Sequence, residues 1–104
     1  MEQFRIIYCI LDALWQAMDI ETPDYDRITA QSLGISEPMW THIMRMLVLE
    51  GYIDGVTVIG YDDGRLEVRA VFPAITLKGL EYLEENVIMR KVANSAKGSV
   101  YVTL

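Results

Sequence analysis

An α+β fold is predicted by three features of the sequence. A capped amphipathic helix from Ser36 to Glu50 runs straight into a β-hairpin from Tyr52 to Phe72, two helical segments precede it, and a Thr-capped helix follows. That order is the winged helix-turn-helix arrangement: three helices, a β-hairpin wing, and a C-terminal helix or helices. At 104 residues the chain has length for one core. We read one domain over residues 1–98 and a C-terminal tail over 99–104.

Phe4, Ile7, Leu11, Leu14 and Met18 recur at steps of three and four, which predicts a helix from Gln3 to Met18 with those residues on its core face. Tyr8, Ile10 and Trp15 widen the stripe, so this helix should touch neighbours on more than one side. Pro23 lacks an amide proton and turns Thr22 away from helical angles, placing a turn between Asp19 and Pro23. A second helix is expected from Asp24 to Leu33, with Asp24 and Asp26 at its positive end, Ile28 and Leu33 inward, and Gly34 as its stop.

Ser36 can accept the first free amide protons of the third helix, whose first turn tolerates Pro38. Trp40, Ile43, Met44 and Leu47 project to its core side, and Gly51 can turn left-handed at its end. Val56 to Ile59 and Leu66 to Phe72 are β-branched or alternating and flank the turn Tyr61-Asp62-Asp63-Gly64. In the second strand Leu66, Val68, Ala70 and Phe72 share one face, with Arg65, Glu67, Arg69 and Val71 on the other, and Pro73 is expected to close it. Thr76 caps a fourth helix in which Leu77, Leu80, Leu83 and Val87 share a face and Glu81, Glu84 and Glu85 are solvated. Ile88, Met89, Val92, Ala93 and Ala96 extend the apolar stripe towards Gly98, as one helix bent near Asn86 or as two.

Composition narrows the function. The chain is 52% hydrophobic, more than one small core needs, which predicts a partner or self-association surface. No apolar run approaches the roughly 20 residues that cross a bilayer, and no basic-then-apolar leader opens the chain, so a cytoplasmic protein without membrane contact is expected. Cys9, the single cysteine, falls in an apolar helical stretch and reads as a structural thiol. Net charge is −6; residues 1–40 hold seven acids against two bases, whereas residues 86–104 hold Arg90, Lys91 and Lys97 and no acid. An acidic body repels a duplex unless positive charge gathers on one face.

Two stretches sharpen the fold assignment. Ala30-Gln31-Ser32-Leu33-Gly34-Ile35-Ser36 resembles the turn between helices two and three of bacterial winged-helix proteins, and Ile75 to Leu83 resembles the segment after their wing. Through Phe4-Arg5-Ile6-Ile7-Tyr8, Leu49-Glu50-Gly51-Tyr52-Ile53 and Ile75 to Asn86 running into Met89-Arg90-Lys91, nearly the whole chain resembles the YjcQ family. The resemblance implies a small winged-helix protein of Gram-positive bacteria, their prophages or phages, and it transfers no catalytic or binding residue.

Enzyme chemistry needs a nucleophile with its base, paired carboxylates in a cleft, a metal cluster or a phosphate-cradling loop, and the sequence offers none. His42 is the only histidine, so metal-ligand spacing is lacking. Asp24-Tyr25-Asp26 opens like a calcium loop without its later glycine and glutamate. A non-enzyme with no cofactor, metal or small-molecule ligand is expected. Two functions remain. As a DNA-binding regulator, a dimer on double-stranded DNA, the chain would use Thr41, His42 and Arg45 of helix three with Arg65 and Arg69 of the wing. As a protein-interaction module, an adaptor of phage or prophage type, it would use Met46, Leu49, Ile59, Tyr61 and Val71. The fold makes the first function the expected one, and the acidic composition keeps the second as its alternative.

Overall fold

A computed structural model describes residues 2–86. Helix α1 (Glu2–Ala17) is followed by a 3₁₀ turn (Asp26–Ile28), α2 (Ala30–Leu33), α3 (Glu37–Leu49), strands β1 (Ile53–Gly60) and β2 (Leu66–Ile75), and α4 (Leu77–Glu85). The strands pair antiparallel as a two-stranded sheet, so the described residues form an α+β unit of helices and one hairpin. The expected continuation through Val87, Ile88, Met89, Val92, Ala93 and Ala96, its basic residues Arg90, Lys91 and Lys97, and the tail at 99–104 lie outside the described residues.

One core joins these elements. Ile6, Ile10 and Leu11 of α1 and Ile43, Met44 and Leu47 of α3 are fully enclosed, each contributing about 1.5–3 kcal/mol by leaving water. Ile28, Ile53, Ile75 and Leu83 bring the 3₁₀ turn, both strands and α4 onto the same cluster. As the central helix, α1 contacts α3, α4, β2 and the 3₁₀ turn. Its buried arc is therefore broad, with Tyr8 and Ile10 inside as expected, and differs from the expected stripe in that Ile6 and Ala13 are inside while Phe4, Trp15 and Met18 are exposed. The helix overhangs the core at both ends. Cys9 is half-buried on α1.

The expected second helix is divided. Thr29 is extended (φ −79°, ψ 158°) and its hydroxyl accepts the Ser32 amide proton at 3.1 Å, starting α2 afresh. Upstream, the Asp24 carboxylate accepts the Asp26 amide proton at 2.9 Å and bends the chain. These local side-chain bonds supply the backbone with partners that a continuous helix would otherwise provide. Trp40 on α3 ties in the turn by donating its Nε1 proton to the Ile28 carbonyl at 2.7 Å. Expected caps are present at Ser36, whose hydroxyl accepts the Met39 amide proton, and at left-handed Gly34 and Gly51.

Pro73 does not close β2, which continues to Ile75. Asp54 pairs with Ala74 but Val56 pairs with Ala70, so Val71, Phe72 and Pro73 stand opposite Gly55 alone. Proline fits at this bulge because the ladder asks for no amide proton there. Gly55 has φ +75°, and a Cβ on it would lie 1.9 Å from the Phe72 carbonyl oxygen. The bulge breaks the expected alternation: Pro73 and Ile75 turn inward and Phe72 outward.

Helix α4 starts where expected. Thr76 Oγ1 accepts the Gly79 amide proton at 3.1 Å and donates to the Gly51 carbonyl at 2.5 Å, joining α4 to the end of α3. A Cβ on Gly79 would stand 2.4 Å from the Tyr52 carbonyl oxygen, so α4 presses its glycine side onto the hairpin base. That contact turns Gly79, Leu80 and Leu83 inward. Leu77, about 120° round the helix from Leu83, is exposed and not on the shared core face.

Candidate functional site

Helix α3 and the hairpin carry the residues singled out for binding, and they form two groups. On the outer side of α3, His42 and Arg45 are exposed, Thr41 is half-buried, Met46 is 44% exposed and Leu49 is 66% exposed. Met39, two turns before Met46, is also exposed and extends this apolar strip. Spacings of four put Thr41, Arg45 and Leu49 in one row and His42 and Met46 in the next. Among the described residues, Arg45 is the arginine with neither an ion pair nor a hydrogen bond.

The second group surrounds the hairpin tip. Arg65 donates from Nε to Asp63 Oδ2 at 2.7 Å, and its guanidinium lies 4.7 Å over the Tyr61 ring. Tyr61 donates its phenolic proton to Glu67 Oε1 at 2.5 Å, and Arg69 donates from Nε to Glu67 Oε2 at 2.9 Å. Both wing arginines are thus held by carboxylates of their own strand region. The Arg69 bond, then the Tyr61 bond, lowers the Glu67 carboxyl from its ordinary range, and that carboxylate raises the Tyr61 phenol. The Arg65 backbone and then its side chain hold Asp63 low. Ile59, cross-strand from Glu67, is half-buried.

Val71, at 61% exposure, is on the surface as expected, and beside it Phe72 is 76% exposed. Spacing alone places Phe72 and Leu77 on the core side, and both are exposed. A signal for the first was present: a glycine inside a strand pattern, here Gly55, marks a bulge that reverses the facing of residues beyond it. No hydrogen bond or ion pair among the described residues links the α3 group to the hairpin-tip group. Among the described residues, no His, Cys, Asp or Glu cluster could hold a metal ion, and no helix is long and apolar enough to cross a membrane.

Helices around a hairpin, with an apolar strip on α3 and arginines paired to carboxylates at the tip, define a small α+β domain. The chain belongs to the YjcQ family, whose model, described as YjcQ protein, matches residues 8–99. It is 29% identical over 97 residues to the uncharacterised protein YjcQ of Bacillus subtilis (strain 168), covering 93% of each chain. A solution NMR structure of the Bacillus subtilis YjcQ protein is similar in fold, with a TM-score of 0.52 and 30% identity, covering 79% of this chain and 92% of that one.

Proposed function

We propose that this chain is a winged-helix-like, non-enzymatic module that binds another protein chain through the outer side of α3 and the hairpin. The observation that carries this reading is the charge of the two elements that would otherwise meet a duplex. Residues 37–50 hold Glu37 and Glu50 against Arg45, and residues 53–75 hold Asp54, Asp62, Asp63 and Glu67 against Arg65 and Arg69. Both elements are net negative. Phosphate contact is the main source of duplex affinity, and a surface of this sign opposes it. Met46, Leu49, Val71 and Phe72 supply instead the exposed apolar area that protein interfaces enclose. An adaptor of bacterial or phage origin suits this surface.

A second reading, a dimeric DNA-binding regulator, is favoured by the order of α3 and hairpin and by Arg45, which has no ion pair or hydrogen bond among the described residues, beside Thr41 and His42. Surface ion pairs are worth about 0–1 kcal/mol, so Arg65 and Arg69 can exchange their carboxylates for phosphates at little cost. Titration with random and genomic duplexes at two salt concentrations, with the oligomeric state read in the same samples, separates the two. The protein-interaction reading expects no saturable duplex binding at low salt, and association that changes little with salt and is lost in Met46→Asp. Duplex binding that falls steeply with salt and disappears in the Arg45→Ala, Arg65→Ala double variant would establish the regulator instead.

A further inference from the structure

A cleft lies away from α3 and the hairpin tip. It lies between the C-terminal half of α1 and the loop that enters the 3₁₀ turn, with Ala13, Ala17, Pro23, Tyr25 and Ile28 among its walls and Ile20 at its mouth. Two alanines on one helix side leave the space open, and Arg27 closes one edge by donating to Gln16 Oε1 at 3.0 Å. Its volume is about 190 Å³. Small-molecule sites run from roughly 300 to 1,000 Å³, so this cleft suits a single inserted side chain. Ile20 is more than half exposed, an apolar group placed to be covered by whatever enters.

Charge identifies the entrant. Asp19, Glu21, Asp24 and Asp26 are all exposed around this loop, and Arg27 is its one base. None of the four carboxylates is in an ion pair among the described residues. An acidic segment would be repelled, and a neutral one would leave these charges unanswered. We infer that the cleft takes one apolar side chain of a basic segment from a partner protein, with lysines or arginines on either side of the anchor meeting Asp19, Glu21, Asp24 and Asp26. The anchor supplies affinity by leaving water, and the flanking charges supply selectivity for a basic sequence.

The test uses the full chain and three synthetic peptides: Lys-Lys-Gly-Leu-Gly-Lys-Lys, the same peptide with Ala for Leu, and the same with Glu for Lys. Methyl NMR of the Ala13, Ala17, Ile20 and Ile28 side chains reports binding at the cleft. The leucine–lysine peptide should shift these methyls saturably, and the other two should bind about tenfold more weakly or not at all. Ala17→Leu, which fills the cleft from its own wall, should weaken binding about tenfold while thermal unfolding shows the variant folded. Glu21→Gln with Asp24→Asn keeps an acceptor for the Asp26 amide and should weaken binding about threefold at low salt, with the difference shrinking near 0.2 M salt. The inference is overturned if the leucine–lysine peptide leaves the methyls of these four residues unmoved, if Ala17→Leu binds it as the unaltered chain does, or if the free chain shows these methyls already in contact with its own residues 87–104.

Discussion

Gly55 sets the shape of the hairpin through two independent constraints, a positive φ and backbone contact with the facing strand. Gly64 at the hairpin turn shares the first, with φ +90°, but has open space where a Cβ would go. Comparing alanine at the two sites separates conformational strain from collision. Gly64→Ala should cost about 1–2 kcal/mol, the penalty of a left-handed L-residue. Gly55→Ala must also move the Phe72 carbonyl and should cost about 3 kcal/mol or more. Equal losses in urea unfolding would show that the close approach does not hold the bulge. Charged residues at the tip make a second prediction. Asp63 and Glu67 have lowered folded-state pKa values, so their contribution is present above the ordinary carboxylate range and is lost as pH falls through the lowered values. The raised Tyr61 phenol has the opposite sign, contributing below the ordinary tyrosine range and losing its effect as pH rises through the raised value. Carboxyl NMR titration should place Glu67 below an ordinary glutamate, and Arg69→Ala should move it back upward. An unchanged Glu67 midpoint in that variant would remove Arg69 as the cause.

Between neighbouring elements, Thr76 is the joint with the clearest expected energetics, since one hydroxyl both caps α4 and bonds the Gly51 carbonyl at the end of α3. Thr76→Ala should cost about 1–2 kcal/mol, and Thr76→Ser, which keeps both bonds, about 0.5 kcal/mol or less. Chemical denaturation of the two variants checks this, and equal losses would point to the methyl group instead. Thr76 was legible as a cap from sequence because capping depends on a few consecutive residues. For the same reason Ser36, Gly34 and the α3–hairpin junction were readable, as were Ile43, Met44 and Leu47 at helical spacing. Two of the hidden features depend on elements distant in sequence. Phe72 faces outward because Gly55 allows a bulge on the opposite strand, and Leu77 does so because Gly79 must meet Tyr52. Thr29 divides the second helix through competing local bonds of similar strength, which periodicity does not register. Of the candidate site, the exposed members of α3 could be projected from the helix, but the capture of Arg65 by Asp63 and of Arg69 by Glu67, each two residues apart, depends on the local twist of the tip and on rotamers.

Charge is where the whole molecule departs from the sum of its contacts. All fifteen carboxylates fall within residues 1–86, together with six of the nine bases, an excess of nine negative charges on the part that holds the core. Against this stand three ion pairs among the described residues, Arg5–Glu2, Arg65–Asp63 and Arg69–Glu67, all at the surface. Pairs of this kind contribute about 0–1 kcal/mol each and weaken with salt. Repulsion among the surplus carboxylates also weakens with salt, and it extends over many pairs within the Debye length of about 10 Å at 0.1 M. Screening should therefore relieve more repulsion than it removes attraction, and the folded state should gain. The urea midpoint is expected to rise as sodium chloride is raised from about 0.01 M to about 0.2 M, where the Debye length shortens from about 30 Å to under 10 Å. Replacing Glu21 and Asp24 with their amides should reduce that rise, because it removes two members of the uncompensated set around the α1 loop. A midpoint that falls with salt would mean that the three surface pairs outweigh the surplus, and the folded state would then owe more to Arg5, Arg65 and Arg69 than their exposure allows.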